Sequence, residues 1–198
     1  MKLRSAFPAL VSFLLLGSGA ARAADPSSAW LMNPAPAEKF AAFTHFELAP
    51  IAMNAPYAGK AANVKALAKI QQEFSLKADA LVASWNASGS AAQPARTLVI
   101  QPVVDEIRYI SGSKRFWAGG LPGDSFVRIT VRFTDKGTGT VIATPMFYAK
   151  ANAIGGGWSI GGTDNAMLTR IADHMAEYLN ANYNAAMGGP TGVDAPKK

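Results

Sequence analysis

The sequence predicts an α+β fold: a two-layer sandwich with two amphipathic helices on one face of a largely antiparallel sheet, in the order β-α-β-β-β-α. Three observations carry that expectation. Residues 127–134 alternate strictly between apolar and polar side chains, the mark of a strand with one buried and one wet face. Two segments, 61–85 and 163–183, instead repeat apolar residues at helical spacing. Glycine-rich and turn-forming stretches separate these elements and show no internal repeat.

Taken in order, the run Phe43 to Met53 reads as the first strand, with Pro50 marking an edge or a bulge. From Ala61 to Trp85, Val64, Leu67, Phe74, Ala78, Leu81 and Trp85 fall near one helical face. Lys65, Lys69, Gln72, Glu73 and Asp79 fall mostly on the other, and Asn63 is a suitable N-cap. Arg96 to Ile110 is rich in β-branched residues, with Pro102 suggesting another edge or bulge. A loop containing Gly112, Gly119, Gly120 and Gly123 leads to the alternating strand, where Val127, Ile129, Val131 and Phe133 should face the helices. Asp135-Lys136-Gly137-Thr138-Gly139 is a turn, and Val141 to Ala153 returns as the partner strand. A second glycine loop, 155–162, precedes the last helix, whose apolar face is Leu168, Ile171, Met175, Leu179 and Asn182 or Tyr183, capped by Thr163 or Asp164. The domain organisation expected is a signal peptide over 1–23, a flexible lead-in over 24–42, one domain over 43–184 and a disordered tail over 185–198.

The signal peptide rests on Lys2 and Arg4, an apolar run from Phe7 to Leu16, and the small-x-small site Ala21-Arg22-Ala23. That run is too short to span a bilayer, which takes about 20 residues. Cleavage near Ala23 removes Lys2, Arg4 and Arg22, so the formal charge falls from +6 to +3. Much of the apparent basicity therefore belongs to the export signal, which argues against a nucleic-acid partner. The mature chain has no run of apolar residues long enough for a membrane span. The chain of 198 residues contains no cysteine and two histidines. Disulfides, thiolate metal sites, a cysteine nucleophile and a lipid-modified cysteine are thereby excluded. The expected location is the periplasm or outside the cell, without a lipid anchor, a metal or a cofactor.

Gly157-Trp158-Ser159-Ile160-Gly161 matches the nucleophile elbow G-x-S-x-G, and it lies between a strand and a helix as such an elbow does. That chemistry needs a histidine base and an orienting carboxylate following in the order Ser, acid, His. The histidine after Ser159 is His174, inside the next helix rather than on a loop above the sheet, so a serine hydrolase is the alternative reading, not the leading one. His45, beside Phe43 and Phe46, reads as a half-buried strand residue, and Asp173-His174 as helix surface. Asp105 and Glu106, adjacent in a strand, should point to opposite faces and so be unable to share a proton or a metal. The more physical feature is the polar sheet face. Arg128 and Arg132 project from it, with Arg108, Lys114 and Arg115 on the neighbouring strand and loop and Phe116 and Trp117 beside them. Arg108, Lys114, Arg115, Trp117, Arg128 and Arg132 are thus candidates for binding an anion or a partner, because the planar guanidinium suits phosphate and carboxylate. The competing expectation is a solvated face balanced by Glu106, Asp124 and Asp135.

The succession Gly112-Ser113-Lys114-Arg115, Gly119-Gly120, the alternating strand and Asp135-x-x-Thr138-Gly139-x-Val141-Ile142-Ala143 resembles an uncharacterised family of bacterial envelope proteins. Many of its members are lipoproteins, and it is defined only as a domain of unknown function. It also ends in a Gly-Gly-rich loop leading into an amphipathic helix, as Gly155 to Tyr183 does here; the resemblance spans residues 43–184. It implies an α+β domain and an envelope location, and no activity. Two departures stand out: the lipid-accepting cysteine is missing, and Leu121-Pro122-Gly123-Asp124 lengthens the first glycine loop. Together these readings predict a non-enzymatic exported protein that binds another envelope protein, or assembles with itself, through its exposed sheet face.

Overall fold

A computed structural model describes residues 30–88, 95–110, 124–151 and 162–194. Their order is β1 (Met32–Asn33), a 3-10 turn (Phe40–Ala42), β2 (His45–Leu48), β3 (Ala52–Met53), α1 (Ala55–Ala58) and α2 (Ala61–Ala87). There follow β4 (Thr97–Arg108), β5 (Phe126–Asp135), β6 (Val141–Ala143), β7 (Met146–Lys150), α3 (Gly162–Asn184) and β8 (Gly189–Pro190). The fold is α+β, with helices packed on an open sheet.

The main sheet runs β2/β3, β4, β5, β6/β7, so both outer strands are broken in two. The β2 and β3 segments run parallel to β4, and every other pairing is antiparallel. The parallel pair follows from the long crossover through α2. The break between β2 and β3 coincides with two prolines. Ile100 and Val104 turn their carbonyls to this edge, accepting from Ala49 and Asn54, so Pro102, in the same phase, turns its nitrogen the same way. Pro102 therefore stands in a central strand with its missing N–H directed at the gap around Pro50, where no ladder bond is required. The bulge expected at Pro102 lies instead at Asp105, where the register between β4 and β5 shifts.

Alternation in β5 is realised as expected: Val127, Ile129, Val131 and Phe133 are all buried. The last helix presents the expected Leu168, Ile171, Met175 and Leu179 to the core, and buries Met167, Ala172 and Tyr178 as well, because it packs on both the sheet and α2. In α2 the face is turned from the expected one. The buried stripe is Asn63, Ala66, Ile70, Phe74, Ala78, Val82 and Trp85, while Val64 is 46% exposed. Phe74, Ala78 and Trp85 are buried as expected, whereas Ala66, Ile70 and Val82 take the places expected of Val64, Leu67 and Leu81. Asn63 is not a cap. It is buried inside the first turn, where its amide donates to the Tyr57 and Ile107 carbonyls and its oxygen accepts from the Tyr109 N–H.

Residues 30–42 and 185–194, expected as lead-in and tail, pair with each other. Strands β1 and β8 form a two-stranded antiparallel sheet, Met32 opposite Pro190 and Asn33 opposite Gly189. The lead-in also places Phe40 in the core, stacked on Phe133 at 4.7 Å between ring centres and close to Tyr178. Buried Asn182 holds the turn after α3, donating to the Tyr178 and Gly188 carbonyls and accepting from the Met187 and Gly188 amides. Ala and Pro abundance made these stretches look unstructured, although Phe40, Asn33 and Thr191 carry their attachment.

Candidate interaction face

Strands β4, β5 and β7 turn one face to the helices and leave the other to solvent. On that outer face Arg128 and Arg132 are exposed in β5, as is Arg108 at the end of β4. Register sets Arg128 between Glu106 and Tyr148, Arg132 opposite Gln101, and Arg108 opposite Phe126. The phenyl ring of Phe126 stacks on Tyr148 at 6.3 Å, so the face is aromatic at the end that carries Arg108 and Arg128. Of the six candidate residues, the fold thus brings Arg108, Arg128 and Arg132 onto one surface. Lys114, Arg115 and Trp117 lie outside the described residues.

Much of the charge is matched in place. Arg128 lies 3.5 Å from a Glu106 carboxylate oxygen, and Lys150 pairs with Asp124 at 2.7 Å. The Asp124 hydrogen bond raises the Lys150 pKa, while partial burial raises that of the Tyr148 hydroxyl. Asp105 accepts a 2.6 Å hydrogen bond from the Thr130 hydroxyl. This corrects the expectation that Asp105 and Glu106 point to opposite sides. The bulge inserts Asp105 as an extra residue, and both carboxylates come to the outer face, beside Thr130 and Arg128. The burial pattern records it: the buried positions of β4 run 98, 100, 102, 104 and then 107, a step of three where a regular strand steps by two.

Asp135 does not balance this face. It is buried at the end of β5 and accepts twice from Arg96, from Nε at 2.9 Å and Nη2 at 2.7 Å. Arg96 also forks onto Glu38 of the lead-in, at 2.8 and 2.6 Å, and lies over the Phe43 ring at 4.2 Å. These bonds to Arg96 hold the Glu38 and Asp135 carboxyls below their ordinary pKa and raise that of the guanidinium. The second Asp135 oxygen accepts from the Gly137 and Thr138 amides, closing the turn after β5, where Gly139 has φ +72°. The cluster ties three parts of the chain together: lead-in, β4 and turn.

The two histidines stand apart in kind. His45 is exposed on β2. His174, on α3, is mostly covered; its Nδ1 is 3.6 Å from Glu177, beyond hydrogen-bond reach. A Cβ on Gly192 would come within 2.7 Å of the His174 ring, so the imidazole lies directly under the C-terminal segment. Ser159 and its motif lie outside the described residues. Among the described residues no three His, Asp or Glu side chains gather as metal ligands. Burial raises the Tyr178 pKa to about 12, and its hydroxyl donates to the Pro34 carbonyl, which is a structural bond.

No protein-family model matches the chain, and no curated protein does. Among solved structures it is similar to the PelC dodecamer from Paraburkholderia phytofirmans, at 18% identity over 71% of this chain and 91% of that one, with a TM-score of 0.36. It is similar to the hypothetical protein CT253 from Chlamydia trachomatis at 12% identity, covering 71% and 99%, with a TM-score of 0.34. A candidate lipoprotein from Caulobacter crescentus has 11% identity, coverage of 70% and 86%, and a TM-score of 0.33. Likenesses of this size name neither a family nor an activity.

Proposed function

We propose that this is an exported, non-enzymatic protein of the cell envelope that binds another envelope protein, or a further copy of itself, through the outer face of β4, β5 and β7. One observation carries the reading: the helices cover one side of the sheet, while Arg108, Arg128 and Arg132 stand exposed on the other. Export rests on the pattern of residues 2–23. No helix among the described residues is long and apolar enough to cross a membrane. Both sheet edges are occupied, which supports a face rather than an edge as the contact. On the β2/β3 side, Asn86 bonds the Phe46 N–H and C=O, and Gln71 accepts from Ile51. On the β6/β7 side, Asn33 bonds both backbone groups of Met146, and Tyr148 donates to the Thr191 carbonyl. Strand addition therefore meets closed edges.

The test is a crosslinking pull-down from an envelope extract, comparing wild type with Arg128→Glu/Arg132→Glu. Capture that disappears in the double variant, at unchanged thermal stability, is the expected result. Capture indifferent to both arginines would overturn the sheet-face reading. The non-enzymatic part is tested with an activity-based serine probe, for which no labelling is expected; labelling abolished by Ser159→Ala would establish a hydrolase instead.

A further inference from the structure

We infer that the occupant of the outer face is a second copy of this chain, related by a two-fold axis running along the strands between β4 and β5. The inference rests on the reading of that face as an interaction surface, and goes further by naming what covers it. Rotation about such an axis sets each β5 against the partner copy's β4, so residues opposed across the sheet within one chain also face each other between chains. Those pairs are Arg108 with Phe126, Glu106 with Arg128, Val103 with Thr130, Gln101 with Arg132 and Val99 with Thr134. None of these pairs sets like charges together, and Asp105, which shares the face near the axis, is engaged by the Thr130 hydroxyl of its own chain. Glu106 meets an arginine, Gln101 offers Arg132 its amide oxygen, and Arg108 meets an aromatic ring. Near the axis these contacts survive the roughly 30° rotation between packed sheets.

A two-fold axis across the strands through Thr130 would instead oppose Arg128 to Arg132 of the second copy, which like-charge repulsion disfavours. The surface is thus self-complementary in one orientation. Complementarity of this kind defines an isologous interface, where the same patch serves both subunits. Ten residues of β5 extend about 33 Å, and four strand positions about 19 Å, so the face offers on the order of 600 Å² per copy. Twice that value falls at the lower end of specific interfaces, so a dimer that dissociates on dilution is expected.

Analytical ultracentrifugation of the full chain should show a concentration-dependent dimer. Glu106→Arg and Arg128→Glu should each weaken it more than about tenfold, since symmetry repeats the repulsion twice. An equimolar mixture of these two variants should recover association as a heterodimer, because each introduced charge then meets its opposite. A monomer at every concentration, or no recovery on mixing, overturns the inference. If the chain is monomeric but pull-down still depends on Arg128 and Arg132, the proposed function stands with a different partner. If pull-down ignores them too, both fail.

Discussion

The two edges of the main sheet are sealed by different means. At the β2/β3 edge the seal comes from one neighbouring element: α2 lends the amides of Asn86 and Gln71 as substitutes for a missing strand. At the β6/β7 edge it comes from both ends of the chain, through Ala37 to Ile142, Asn33 to Met146 and Tyr148 to Thr191. The first seal forms wherever α2 docks, since its bonds span 40 residues or fewer. In the second, Asn33 and Ala37 reach groups more than 100 residues away while Thr191 closes from the other side, so it needs both flanking segments in place. An edge closed by a helix is therefore expected to open only with the core, and an edge closed by the chain's flanking segments to open as a local event.

The largest way to break this difference is Gly188→Ala. Gly188 has φ +79°, and a Cβ there would lie 2.4 Å from the Asn33 carbonyl oxygen. The backbone conformation alone costs about 1–3 kcal/mol, and the clash adds to it. A lower urea midpoint is expected, with amide exchange accelerated at Met146 and Tyr148 but not at Phe46 and Ile51. Uniform acceleration at all four would show that the two edges are one cooperative unit. Next in size are Asn33→Ala and Asn86→Ala, each leaving a backbone N–H and C=O without its partner. Each should cost about 1–3 kcal/mol by equilibrium unfolding, with Asn33→Ala the greater because that residue is 7% exposed and its bonds are the better shielded.

The smallest effect is a pH dependence at the Arg96 cluster. Glu38 and Asp135 have folded-state pKa values depressed by Arg96, so their contribution is present above the ordinary carboxylate range and is lost as pH falls through the folded values. Thermal melts should therefore show stability declining below about pH 4, the ordinary carboxylate range. Arg96→Met should be less stable at neutral pH and should flatten that acid limb. An unchanged acid slope in the variant would remove the cluster from the account of the lead-in's attachment.

Period and spacing made most of this architecture legible. The alternation of 127–134 and the apolar rhythm of 163–183 are local signals, and they held because each element buries a regular set of positions in the core. The face of α2 was less legible, since Ala66, Ile70 and Val82 rather than Val64, Leu67 and Leu81 complete the contact with Phe74, Ala78 and Trp85. The attachment of both termini was hidden because amide side chains carry it at long range, and Asn33 has no periodic neighbours to betray it. On the outer face, Arg108, Arg128 and Arg132 were visible from alternation alone. The shared face of Asp105 and Glu106 was not, because a bulge adds a residue that alternation does not count.

The pairing of β1 with β8 also orders events in time. A chain emerges from synthesis N-terminus first, so Met32 and Asn33 are available early but their strand partners Pro190 and Gly189 appear more than 150 residues later. Until then, the stretch carrying Trp30 and Met32 is unmatched apolar chain, and the β6/β7 rim lacks its Thr191 bond. Residues 189–191 act as the clasp of the molecule. Any shortening of the C-terminus past Gly189 would leave an otherwise complete sheet with an adhesive border.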